Sequence, residues 1–335
     1  MPTTPELIDL HFNGLKDSAS GIDCNFWKSP SDEEILKLRK YLYEHGIKAF
    51  LPTLITDSAI AIEKKLELIA NHKKNFTGTN EEESLAQSLA YPIGVHIEGG
   101  YISRRGTHPE KYCEALGPSV VEDLTKKFPG LIKLWTICPL VDKDGKHVAA
   151  QRLHGIIPSY GHSKANYQEA MNGFNNYGVR LVTHWGNGMN IFTTAYDRDE
   201  PSPEDLASLD SNDNSLGALG KAAYDHPDVY LMAICGSDAD KDRHISPKLI
   251  KKLAGTGRLI LVTDAVAEPA GPASQTGAKR GYALSGGQVS LDKHVANAKH
   301  DAGLTDEEIY QATVINPAKI LSGKDFNSLL KQIVH

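Results

Sequence analysis

Acid–base and metal-ligating side chains follow several short apolar stretches of this sequence. The segments are His11-Phe12-Asn13, His96-Ile97-Glu98, Gly161-His162-Ser163, Thr183-His184 and Thr263-Asp264. A glutamate and two histidines that met at one point would form a mixed nitrogen and oxygen ligand set with a position left open for water, as catalytic zinc sites have. Asp264 would then face that water. The pattern therefore predicts a catalytic metal site.

Each of these side chains also has a purely structural interpretation. A single histidine such as His162 could cap the next helix or hydrogen-bond to a buried carbonyl group. Glu98 could be a buried structural carboxylate, and Asp264 could be a turn residue. The joint occurrence of such residues after five separate apolar stretches favours the metal site over these alternatives.

The elements that must position these residues are short strands that alternate with helical patterns. The eight predicted strands are Leu7–Leu10, Ile47–Leu54, Pro92–Ile97, Leu131–Cys138, Ile156–Tyr160, Val179–Thr183, Val229–Ile234 and Arg258–Thr263. Helices are predicted between them, two of which begin with capping boxes, Ser31 with Glu34 and Thr305 with Glu308. This alternation is typical of an α/β protein of the (β/α)8 TIM barrel type, in which chemistry lies at the carboxyl ends of the strands. The chain also lacks an early glycine-rich dinucleotide fingerprint, which disfavours a doubly wound sheet.

Length and charge narrow the class of protein. The chain has 335 residues, 36 Lys+Arg against 42 Asp+Glu for a formal charge of −6, and a hydrophobic content of 40%. Mild acidity disfavours nucleic-acid binding, and there is no apolar run near the roughly 20 residues that span a bilayer. The four cysteines are widely separated, which predicts reduced thiols rather than a disulfide framework or a cysteine zinc site. We therefore expect a cytoplasmic protein with no nucleic-acid or membrane partner.

One catalytic domain is predicted over residues 5–322, followed by a C-terminal extension over 323–335. The longest irregular stretch, residues 187–215, is rich in Asp, Asn, Ser and Pro. Loops of that length in a compact domain are usually functional or disordered.

An ordered set of motifs extends from about residue 7 to about residue 321. It comprises Phe50–Thr56, Gly94–Gly99, Arg105–His108, Gly161–Ser163, Thr183-His184 with Asn187 and Met189, Leu261–Ala265, Leu284–Gly286, and Ala312-Thr313 with Asn316–Ala318. On these motifs the chain resembles the N-acetylglucosamine-6-phosphate deacetylase family of the amidohydrolase superfamily. The resemblance implies a metal-dependent hydrolase that converts N-acetylglucosamine 6-phosphate into glucosamine 6-phosphate and acetate.

The resemblance also implies roles for individual residues. Glu98, His162 and His184 are expected to hold one divalent metal ion. Zinc is the first candidate for this ligand set, and iron or cobalt would also suit it. Asp264 is expected to be the general acid/base, and His108 to polarise the acetyl carbonyl group. Contacts to the sugar phosphate are expected from three residues, Asn187, Gly188 and His244.

The chain departs from the family pattern in several places. Many relatives have His-x-His at the first strand, which binds a second metal, whereas this chain has His11 and Asn13 as a remnant of that site. Gly99-Gly100 replaces the usual Gly-Pro. The long loop replaces a family segment whose arginine binds phosphate across a dimer interface, so Arg198 is the candidate substitute and a homodimer is implied. The small β-sandwich of the family is predicted to be absent.

Two other functions are compatible with these residues. One is a deacylase that acts on another N-acyl amino sugar or on an N-acyl amino acid, which the altered loop favours. The other is a catalytically silent barrel that binds a sugar phosphate. A substrate panel would separate the first from the deacetylase, and metal analysis would separate the second.

Overall fold

Eight parallel strands form the main sheet of the protein. The computed structural model describes residues 6–76, 88–103, 108–187, 189, 218–236, 245–267 and 289–322. Neighbouring strands follow chain order around the sheet, namely β1 (Leu7–Phe12), β4 (Ile47–Ile55), β6 (Val95–Glu98), β7 (Ile132–Ile137), β8 (Ile157–Tyr160), β9 (Leu181–Val182), β10 (Tyr230–Ile234) and β11 (Leu259–Val262). The predicted (β/α)8 barrel is confirmed.

Three shorter strands accompany the barrel. β2 (Gly14–Asp17) and β3 (Ile22–Asn25) form an antiparallel hairpin directly after β1, and β5 (Tyr91–Pro92) pairs with β4. The sequence patterns did not predict the hairpin, because its strands are only four residues long and carry little periodicity.

The helices lie between the strands and cover the outside of the sheet. Their bounds are α1 (Asp32–Glu44), α2 (Ala59–Phe76), α3 (Pro118–Lys127), α4 (Lys146–Leu153), α5 (Tyr167–Asn172), α6 (Ala218–Asp225), α7 (Pro247–Ala254), α8 (Leu291–His300), α9 (Asp306–Tyr310) and α10 (Asn316–Ser322). A 3₁₀ turn at Glu110–Tyr112 and π-helical turns at Gly173–Tyr177 and Gln311–Ile315 complete the described set. Among the described helices, none combines the length and the apolar character that crossing a bilayer requires.

Local capping decides where several helices begin. The predicted capping boxes at Ser31 and Thr305 are both present. Helix α5 begins at Tyr167, because Asn166 caps it and the Glu169 side chain bonds back to the Asn166 backbone. The start of this helix is thus set by side-chain hydrogen bonds to the free N–H groups of its first turn.

The barrel interior has an apolar base beneath a polar layer. Its base is a buried cluster that includes Leu10, Leu51, Leu134 and Ile260. One step higher, a chain of hydrogen bonds joins strands β6 to β9, with contacts of 2.7 Å from His96 to Thr136, 2.6 Å from Thr136 to Thr183 and 2.6 Å from Thr183 to Ser159. Because strand side chains alternate with a period of two, Glu98 lies on the same face as His96 and above this polar layer.

The barrel closes where β1 meets the residues that follow β11. A parallel bridge joins Phe12 to Ala265, and the Asp264 N–H donates to the His11 carbonyl oxygen at 2.9 Å. The buried carboxylate of Asp9 reinforces this seam, since it accepts hydrogen bonds from the Thr263 hydroxyl at 2.6 Å and from the His11 N–H at 3.1 Å. Burial raises the pKa of Asp9 to about 6, although these hydrogen bonds oppose the rise.

An Asp9→Ala variant should lose about 3 kcal/mol of unfolding free energy, because its donors would be left buried and unpaired. The Asp9→Asn variant is the matched control. Its amide oxygen can still accept from the backbone N–H groups and its NH₂ can donate to Thr263, so we expect a loss of about 1 kcal/mol. Urea denaturation measures both losses. Equal losses in the two variants would contradict a hydrogen-bonded seam.

Candidate active site

Metal-ligating and acid–base side chains meet at the carboxyl ends of five barrel strands. Glu98 ends β6, while His162, His184 and Asp264 each lie two residues beyond β8, β9 and β11. These three residues adopt positive φ angles of 45°, 29° and 50°. Such a backbone is unusual for residues other than glycine and concentrates at functional sites.

The Glu98 carboxylate is the centre of the cluster. Its Oε1 lies 2.6 Å from Nε2 of His184 and 2.8 Å from Nε2 of His162. Its Oε2 lies 3.3 Å from Nε2 of His11 and 3.9 Å from Nε2 of His108. All five side chains are buried. Burial alone would raise the pKa of Glu98, but the facing His11 charge and the histidine hydrogen bonds hold it well below its usual value.

This donor set fits a divalent metal ion. Among the residues that the structure describes, two overlapping groups of three side chains could hold one, Glu98 with His11 and His184, and Glu98 with His108 and His162. The predicted ligands Glu98, His162 and His184 are drawn from both groups, and their donor atoms lie 2.6–3.2 Å apart. Neighbouring ligands of a tetrahedral ion bound at roughly 2.0–2.1 Å would be roughly 3.3 Å apart. In addition, Nδ1 of His184 lies 3.1 Å from the Asn187 carbonyl oxygen, the kind of contact that orients metal-binding imidazoles.

Asp264 lies next to this cluster on the β11 side. Its Oδ1 is 3.0 Å from Nε2 of His11 and accepts a 2.7 Å hydrogen bond from Nδ2 of Asn13. Burial opposes ionisation, but the His11 charge outweighs it and lowers the pKa of Asp264. In the same way, burial disfavours the charged form of His11, yet Glu98 and Asp264 raise its pKa to about 10. Asp264 is therefore ionised at neutral pH and able to accept a proton.

His108 faces Oε2 of Glu98 and also contacts a threonine. Its Nδ1 is 2.8 Å from the Thr56 hydroxyl, which is 3.3 Å from the Glu98 carbonyl oxygen and accepts from the Gly100 N–H at 2.8 Å. Burial, and then the charge of His162, lower the pKa of His108 to about 3. Its imidazole is therefore neutral, and Nδ1 is held by the Thr56 hydroxyl while Nε2 faces the cluster, 3.1 Å from Nε2 of His162.

The Gly99-Gly100 departure from the family pattern has a structural reason. Gly100 has φ of +74°, which proline cannot adopt, and its N–H donates to Thr56. A Cβ atom at Gly100 would also lie 2.4 Å from Cδ1 of Leu116. A second glycine is therefore required at this position, directly after β6.

The structure brings together eight of the eleven residues proposed from the sequence: His11, Asn13, Glu98, His108, His162, His184, Asn187 and Asp264. The other three, Gly188, Arg198 and His244, lie outside the described residues. Sequence reasoning did not single out Thr56 or Trp27, whose Nε1–H donates to Asn13 at 3.0 Å. Thr56 lies in the Phe50–Thr56 motif, which was a usable signal, whereas nothing in the sequence around Trp27 marked it.

Comparison with known proteins finds similar proteins that share one name. No model of a protein family matches the chain. A zebrafish (Danio rerio) protein named N-acetylglucosamine-6-phosphate deacetylase is 26% identical over 336 aligned residues, which cover 95% of this chain and 74% of the relative. A Haemophilus influenzae protein of the same name is 26% identical and covers 80% of this chain. The chain is thus similar to N-acetylglucosamine-6-phosphate deacetylases along nearly its whole length.

Solved deacetylase structures share the fold of this chain. The N-acetyl-D-glucosamine-6-phosphate deacetylase of Mycobacterium smegmatis superimposes with a TM-score of 0.72 at 18% identity, over 95% of this chain and 78% of that one. A variant of the Mycobacterium protein, with a TM-score of 0.71, was solved in complex with N-acetyl-D-glucosamine-6-phosphate. The alignments cover different shares of the deacetylase relatives. The aligned part is 60% of the Haemophilus protein, and it is 42% of a rat (Rattus norvegicus) relative that is 29% identical.

Proposed function

We propose that this protein hydrolyses the N-acetyl group of N-acetylglucosamine 6-phosphate and releases acetate and glucosamine 6-phosphate. The observation that carries the proposal is the Glu98 carboxylate, which lies within 2.8 Å of two histidine Nε2 atoms beside the ionised Asp264. That arrangement occurs in a chain that is similar to the deacetylases, and the substrate is the sugar phosphate held by the solved Mycobacterium variant.

Glu98, His162 and His184 are assigned to one divalent metal ion, with zinc as the first candidate and iron or cobalt as the others. Carboxylate and imidazole ligands suit all three ions. When bound, the ion supplies Lewis acidity, which polarises the amide carbonyl group and lowers the pKa of a water molecule to about 7. His184 is held for this role by its contact to the Asn187 carbonyl oxygen.

Asp264 is assigned the proton transfers. As a carboxylate it removes a proton from the attacking water, whose oxygen forms a bond to the acetyl carbon. It then returns that proton to the nitrogen as the carbon–nitrogen bond breaks. The products are the free amine and acetate. The assignment is supported by its closeness to the histidine cluster, since its Oδ1 lies 3.0 Å from Nε2 of His11, which in turn lies 3.3 Å from Oε2 of Glu98.

His108 is assigned to the acetyl oxygen. Its imidazole is neutral, and in this role Nε2 carries the proton and donates it in a hydrogen bond to the oxygen on which negative charge develops, while Nδ1 contacts the Thr56 hydroxyl. Donors placed in advance in a buried site stabilise such charge strongly. The sugar phosphate is assigned to Asn187, Gly188 and His244, with Arg198 as a further cation. A cytoplasmic location and a homodimer complete the proposal.

An acetate-release assay on N-acetylglucosamine 6-phosphate tests this function. We expect turnover in the protein as purified, loss of at least about 99% of it after chelation, and recovery on addition of Zn²⁺, Fe²⁺ or Co²⁺. The ion that restores turnover at one equivalent identifies the preferred metal. Faster turnover of an unphosphorylated N-acetyl sugar or an N-acetyl amino acid would favour the other deacylases. A folded, metal-free protein that binds the sugar phosphate without turnover would contradict the enzyme.

A further inference from the structure

A chain of hydrogen-bonded side chains connects Trp27, just after the β2–β3 hairpin, to Asp264. Nε1–H of Trp27 donates to Oδ1 of Asn13 at 3.0 Å, and Nδ2 of Asn13 donates to Oδ1 of Asp264 at 2.7 Å. Asn13 is only 1% exposed and Asp264 6%. The three residues are separated by 14 and 251 positions in sequence, so the barrel seam and the hairpin must both form before the chain exists.

The indole group decides which way the Asn13 amide points. An indole N–H can only donate, so the amide atom that faces Trp27 must be the oxygen. The NH₂ group then has to face Asp264, where its partner is an ionised carboxylate. In the reverse orientation the Asn13 NH₂ group would face the indole N–H, so that two donors met. The Asn13 oxygen would then face the Asp264 carboxylate, so that two acceptors met.

This contact leaves one oxygen of Asp264 available. Oδ1 is occupied by Asn13 and lies 3.0 Å from His11, while Oδ2 has no hydrogen-bond partner among the residues that the structure describes. Backbone hydrogen bonds hold the same three residues together, from the Asp264 N–H to His11 and from the Asn13 N–H to the Ala265 carbonyl oxygen, both at 2.9 Å. The carboxylate is thus held by one oxygen and presents the other.

We propose that Asn13, oriented by Trp27, is a positioning residue that holds Asp264 so that its second oxygen performs the proton transfers. The inference rests on the proposed function, and it replaces the interpretation of Asn13 as an idle remnant of a second metal site. The β2–β3 hairpin contributes to this positioning, because it brings the chain back from Asn13 so that Trp27 lies beside it. An amide side chain suits position 13, because it can accept a hydrogen bond from the indole and donate one to the carboxylate at the same time.

Two variants and their combination test this inference. Trp27→Phe keeps the aromatic body and removes only the N–H, and we expect kcat to fall about fivefold, since the amide loses its fixed orientation. Asn13→Leu keeps the volume and removes the donor to Asp264, and we expect kcat to fall about 30- to 100-fold. KM and the metal content per chain should stay within twofold of the wild-type values in both variants.

The double variant distinguishes positioning from general packing. Because Trp27 acts through Asn13, adding Trp27→Phe to Asn13→Leu should lower kcat by less than twofold more, whereas independent structural effects would multiply. Asn316→Leu is the matched control. That buried asparagine donates to the Leu259 carbonyl oxygen at the other end of β11, so its variant should lose thermal stability and keep kcat within twofold.

Four results would contradict one of the two proposals. A wild-type protein without deacetylase activity would contradict the proposed function itself. An active wild type whose Asn13→Leu and Trp27→Phe variants keep kcat within twofold would overturn the positioning role alone, as would fully multiplicative losses in the double variant. A loss of metal in Asn13→Leu would also overturn it, because the residue would then support the metal and not Asp264.

Discussion

An Asp264→Asn variant should keep its metal and its affinity for N-acetylglucosamine 6-phosphate and lose about 10³-fold in kcat. The substitution preserves shape but removes the group that accepts and returns the proton, and such groups typically contribute 10²–10⁴-fold. The substitution should affect proton transfer without affecting metal binding. Asp264 contacts His11 and Asn13, whereas the predicted ligands His162 and His184 contact Glu98. Steady-state acetate release and metal analysis measure the two quantities.

Asp142→Asn is the matched control for that experiment. Asp142 is also buried, but its carboxylate accepts from the N–H groups of His147 and Val148 at the start of α4, outside the cluster. We expect its variant to lose stability and to keep kcat within twofold. If Asp264→Asn retained wild-type turnover with metal bound, another group would have to transfer the proton.

The second large effect is expected from Glu98→Gln. Glu98 is the one side chain common to both possible ligand groups and is within 3.3 Å of three histidines. Replacing its carboxylate by a neutral amide weakens metal binding by either ligand group. We expect metal content to fall at least tenfold and kcat by about 10³-fold, with no rise in the thermal midpoint when Zn²⁺ is added.

Glu63→Gln provides the control for charge alone. Glu63 pairs with Lys127 on the surface, where exposed ion pairs contribute little. Its variant should retain full metal content and turnover. A Glu98→Gln protein that bound one equivalent of metal as tightly as the wild type would show that the histidines hold the ion without Glu98, and the assigned ligand set would be wrong.

Two features of the site show where sequence reasoning ends. Glu98, His162, His184 and Asp264 could be proposed because each follows an apolar stretch, and the barrel brings strand ends together at one rim. The contacts of Asn13 could not be proposed from the sequence, because Trp27 reaches Asn13 through a hairpin whose strands show no apolar periodicity. The positive φ angles of His162, His184 and Asp264 were equally inaccessible, since they arise from how the chain leaves each strand.

The sequence by itself determined the barrel, the starts of α1 and α9, and the strand ends that carry the candidate catalytic side chains. These features depend on contacts within a few residues, namely apolar periodicity and the Ser31 and Thr305 caps. Only the tertiary structure decided that Thr56 holds His108 and that Trp27 orients Asn13 on Asp264. Residues as far apart as 13 and 264 become neighbours only when the first and last strands meet, and no local pattern records that contact.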